Sequence, residues 1–121
     1  MSGAWIAAGA VVCALSIAAG AFGAHGLRSR LDEHGLALWE TAARYLMYSG
    51  LGILAITLAS RPSGGRTFTL AAAALLIGAV VFCGTVAMLA LGGPRWLGAI
   101  TPIGGLLMII AFVLLAMAAL R

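Results

Sequence analysis

The sequence predicts an all-α fold, an integral membrane antiparallel four-helix bundle, from its composition, its run lengths and the places where its polar residues fall. Of 121 residues, 64% are hydrophobic and 8% charged, whereas a soluble domain carries about a quarter charged residues. A span of the bilayer needs about twenty apolar residues, and the chain holds about four such runs with polar residues gathered between them. As the helices of a soluble protein, these runs would leave nothing polar to cover the outside. Residues 1–121 therefore read as a single membrane domain with spans over about 3–24, 36–60, 67–91 and 97–120, and with no room for a soluble domain.

The first span, rich in Ala and Gly, carries Trp5 near its start as an interfacial anchor. Small residues in "AAGAFGA" resemble a signal-peptide cleavage site, but no Lys or Arg precedes the run and the chain begins at Met1, so the segment is expected to be retained. The second span is less regular. Its helix is expected to begin near Leu36, after the polar linker "RSRLDEHGLA", with Trp39 at the interface and Glu40 and Arg44 as an i,i+4 pair in its first turns. "RPSGGR" then forms a tight Pro/Gly turn between antiparallel helices. The third span is uncharged and ends at "GGPR".

For the fourth span two starts are open. Thr101 and Pro102 match an N-cap followed by proline at the first helical position. The other start lies near Trp96, with the helix kinked at Pro102 and eased by Gly98, Gly104 and Gly105. Abundant Ala and Gly on the spans point to close helix packing. The two cysteines, Cys13 and Cys83, lie inside apolar runs and read as small packing residues.

Charge excludes one class of partner. The net charge of +4 comes from seven arginines and three acids, with no lysine, spread over segment ends. That is no nucleic-acid footprint, which needs a clustered basic stripe.

Antiparallel threading brings the end of span one, the start of span two, the end of span three and the start of span four to one membrane face, here the motif face. A candidate polar cluster of His25, Glu40, Arg44 and Thr101 collects there. A cation at the centre of a span costs about 2.5–3.5 kcal/mol on insertion scales. Arg44 lies about 7–8 Å deeper than Trp39, which leads to the reading that it snorkels to the headgroups while paired with Glu40; the sharper reading points it into the bundle. His25 sits where the first helix ends, between Gly23 and Gly26, which look like capping glycines. His34 is the only other histidine, so no metal or haem site is expected and no cofactor is assigned. Gly20, Gly23 and Gly26 read as a close helix contact. Tyr45 and Tyr48 are inward hydrogen-bond donors or interfacial aromatics.

"GAFGAHGL", "WETAARYLMY" and "LGAITPIGG", in that order, resemble the bacterial family called domain of unknown function 423, over nearly the whole chain. The transmembrane protein 256-like family of eukaryotes is similar in the same places. The pattern matches at Gly20, Phe22, Gly23, Ala24, His25 and Gly26; at Trp39, Thr41, Ala42, Tyr45 and Met47; and at Gly98, Ala99, Thr101, Pro102, Gly104 and Gly105. It departs at Leu46 and Ser49, where family members commonly carry glutamine and histidine. The resemblance implies a small multi-pass protein of the bacterial inner membrane with no established activity.

No paired carboxylates at a span centre, nucleophile–base pair or phosphate-cradling loop is present. The expected role is noncatalytic: a homo-oligomer in the lipid bilayer, or an accessory subunit of a larger membrane protein complex. The alternative is a small transporter or channel subunit using the polar cluster. Arginines tie at three per face, with Arg28, Arg30 and Arg95 against Arg61, Arg66 and Arg121. The arginines that follow the first span favour the motif face inside and both termini in the periplasm.

Overall fold

The computed structural model describes residues 1–121 as four helices: α1 Gly3–His25, α2 Glu33–Ala59, α3 Thr67–Ala90 and α4 Leu97–Ala119. Each is long and apolar enough to cross a membrane. Large aliphatic side chains such as Ile17, Leu58, Val80 and Ile109 point outward from all four, as a bundle solvated by acyl chains requires.

Local chemistry sets the helix ends. Asp32 caps α2, its Oδ1 accepting from the Gly35 N–H at 2.8 Å, with Glu33 in the first turn where the helix dipole favours an anion. The helix thus starts three residues before Leu36, and His34 belongs to its first turn rather than to a linker. Gly26 is no left-handed cap: its φ is −76°, and the chain leaves α1 with the Gly26 and Leu27 N–H groups both donating to the Phe22 carbonyl. The left-handed cap occurs after α3. Gly92 has φ 91°, its N–H donates to the Leu89 carbonyl, and the Gly93 N–H donates to the Met88 carbonyl at 2.8 Å, the Schellman pattern.

Of the two starts open for α4, the earlier one holds: the helix begins at Leu97 after Trp96, and Pro102 lies inside it. Thr101 is therefore no N-cap. Its hydroxyl donates to the Leu97 carbonyl at 3.1 Å.

Packing follows chain order. α1 packs on α2, α2 on α3, and α3 most extensively on α4. Glycines make the closest approaches. A Cβ on Gly50 would lie 2.8 Å from the Cys13 amide nitrogen, and one on Gly104 would lie 2.5 Å from the Phe82 amide nitrogen. The main core, around Ile53, Ile56, Phe68, Leu75 and Ala111, occupies the half of the bundle near the α2–α3 turn. A smaller cluster of Ala42, Cys83 and Val86 lies toward the motif face, and Cys13 and Cys83 are both free thiols.

Arg61 ties the turn to the end of α4. Its Nη2 donates to the Ala119 carbonyl at 2.8 Å and to the Arg121 carbonyl at 3.2 Å, and its guanidinium lies over the Phe68 ring. A cation is thus supplied where the helix exposes its last carbonyls.

Candidate functional site

Trp39 organises the motif face. From α2 its indole N–H donates to the Ala19 carbonyl of α1 at 2.7 Å, and its ring lies where a side chain on Gly23 would be, 2.5 Å from the ideal Cβ position. Phe22 meets the same ring edge-on, with centroids 6.2 Å apart. Of the three glycines expected to form one contact, only Gly23 serves it. Gly20 faces open space, and a Cβ on Gly26 would meet Phe22 of its own helix.

The open space beside Gly20 belongs to a cavity of about 360 Å³ between the end of α1 and the start of α2, which Arg28, Trp39 and Glu40 also line. Across Trp39, an apolar groove of about 300 Å³ runs between α1 and α3 over Ala42, Leu46 and Cys83.

Arg44 lies far from the ends of the helices. The Ser16 hydroxyl donates to the carbonyl of Ala43, the preceding residue, at 2.5 Å, which sets Arg44 level with the middle third of α1. About 14 Å of helix separates Ser16 from the end of α1 at His25, more than an arginine side chain spans. Arg44 and Glu40 are both exposed on the outside of the bundle. No Asp or Glu carboxylate oxygen lies within 4.0 Å of a guanidinium nitrogen. The expected pair is therefore not formed within the chain, and Arg44 does not point into the bundle, because α2 turns its small residues, Ala42, Ala43, Ser49 and Gly50, toward its neighbours instead.

The other predicted residues are dispersed. His25 is the exposed last residue of α1, at the end of the helix where the dipole favours a cation. Thr101 turns to α3, its Oγ1 lying 2.6 Å from that of Thr85. Gly104 serves the α3–α4 crossing, and Gly105 makes ordinary contact with Phe82. The Tyr45 and Tyr48 rings meet at 5.2 Å between centroids, tilted by 57°, with Phe82 5.0 Å from Tyr45; both tyrosines are outward-facing aromatics. No hydrogen bond or ion pair joins any two of His25, Glu40, Arg44 and Thr101.

Sequence reasoning missed Ser16, Thr85 and Arg61. Ser16 and Thr85 were detectable only as lone hydroxyls in apolar runs, and Arg61 had no signal beyond its place in a turn. Buried hydroxyls end on backbone carbonyls, Ser49 on Tyr45 and Thr57 on Ile53, and no buried side-chain polar atom lacks a partner. One chain thus encloses an apolar interior, its charges lying outside.

Four lipid-facing helices around such an interior define a small multi-pass membrane protein. The chain belongs to the family described as protein of unknown function (DUF423), which matches residues 19–105, from the Trp39 acceptor Ala19 to Gly105. It is 43% identical to a UPF0382 membrane protein of Staphylococcus epidermidis over 97% of this chain and 95% of that one. It is 36% identical to the UPF0382 membrane protein YwdK of Bacillus subtilis over 97% and 96%, and 39% identical to a UPF0382 membrane protein of Staphylococcus aureus over 97% and 95%. No solved structure matches.

Proposed function

We propose that the protein is a noncatalytic component of the bacterial inner membrane that acts as a packed oligomer or as an accessory subunit of a larger membrane complex. The observation that carries this reading is Arg44, a cation at the depth of Ser16, exposed on α2 with no carboxylate in contact. Intramembrane ionisable groups pair or face protein, and a neighbouring chain supplies both the partner and the cover. The groove between α1 and α3 offers a second place for close helix contact, since small residues line it. A transport role has less support, because His25, Glu40, Arg44 and Thr101 do not converge on one route.

Cross-linking in native membranes followed by purification tests the reading. The expected product is larger than the 12.2 kDa chain; a strictly monomeric, partnerless chain would sink it. Arg28 and Arg30 directly after α1 favour the motif face in the cytoplasm, and so support a topology with both termini in the periplasm. A reporter fused after Arg121 should be active only there, and cytoplasmic activity alone would reverse the orientation.

A further inference from the structure

We infer that the outward face of α2 is a two-fold interface with a second copy of this chain, in which Glu40 of each copy pairs with Arg44 of the other. The inference rests on the oligomeric reading above and names its partner.

The free face is defined by three consecutive residues. Gly50 packs against Cys13 of α1, and Gly52 packs against Leu75 of α3 and Phe112 of α4. Leu51, about 100° from each around the helix, points to the side that no other helix covers and is 54% exposed. Arg44 lies seven residues before it and Leu58, 76% exposed, seven after, so the three lie on one stripe with Tyr48 and Ala55 beside it. Glu40 stands one turn from Arg44 on the same exposed side.

Charge selects the occupant. The stripe carries one acid and one base, four residues apart, with neither paired within the chain. Where two parallel helices face each other about a two-fold axis, identical residues lie level and each side chain enters a hole formed by four residues of the facing helix, which brings Glu40 of one copy within one turn of Arg44 of the other. Both unpaired charges are satisfied at once, and the patch is its own complement, as an isologous contact requires. Lipid is a poorer cover: phosphates lie at the interface, whereas Arg44 is level with Ser16.

The test uses the full chain in bacterial membranes, with Cys13 and Cys83 replaced by alanine and Leu51→Cys as the reporter. Oxidation should join two copies at position 51. Arg44→Glu should lower the cross-linked fraction by more than about tenfold, since it leaves desolvated charges without an opposite partner, and adding Glu40→Arg should restore it. Arg28→Gln should change nothing, although Arg28 shares the cavity with Glu40. Retained helicity of each purified variant excludes misfolding as the cause of a loss. Cross-linking that ignores the charge variants would overturn the inference. Capture of a different protein at position 51 would also overturn it while leaving the complex reading intact. Absence of a cross-link at position 51 would overturn the inference alone, and a strictly monomeric, partnerless chain in native membranes would overturn both.

Discussion

Trp39 fastens α2 to α1 by one hydrogen bond, to the Ala19 carbonyl, and by filling the space that Gly23 leaves. Hydrogen bonds between membrane helices contribute about 0.6 kcal/mol on average and up to about 1.7 kcal/mol. Trp39→Phe should therefore lower stability by about 1 kcal/mol in reversible unfolding from mixed micelles. Gly23→Val should cost more, about 1–3 kcal/mol, because the indole must leave its seat. A tryptophan beside Glu40 and Arg44 reads from the sequence as interfacial, yet Trp39 lies level with Ala19, six residues before the end of α1. Its acceptor could not be read, because a backbone carbonyl leaves no mark in residue identity. The depth of Arg44 was hidden for a similar reason: it is set by Ser16 bonding the Ala43 carbonyl, a register between helices that spacing along one helix does not encode.

Among the elements, glycine position separates contact from mere composition. Gly104→Leu would drive a side chain into the α3 backbone at Phe82 and should cost about 1–3 kcal/mol. Gly20→Ala meets nothing within 4 Å and should stabilise α1 by about 0.5–1 kcal/mol through helix propensity; the same unfolding measurement reads both. Sequence alone reads Gly20 as a helix contact beside Gly23 and Gly26, and Gly104 as a residue that eases a bend at Pro102. Helix number, order and apolar character were legible because run length and hydrophobicity are local properties. The ends were less so: Asp32 was placed in a linker, yet its carboxylate caps α2, and Thr101 looked like a cap although Leu97 already starts α4.

Across the whole molecule, the Arg61 clamp joins the α2–α3 turn to the last carbonyls of α4. Arg61→Ala should speed hydrogen exchange in the final turn of α4 about tenfold and leave the amides of α1 unchanged, because α1 lies at the far edge of the bundle and packs on α2. The same serial packing bears on how the protein is made. Each helix after the first packs on the helix inserted just before it, so the ribosome delivers every later segment to a partner already in the bilayer. Assembly can then proceed hairpin by hairpin at the pace of synthesis, with little need for a distant segment to arrive first.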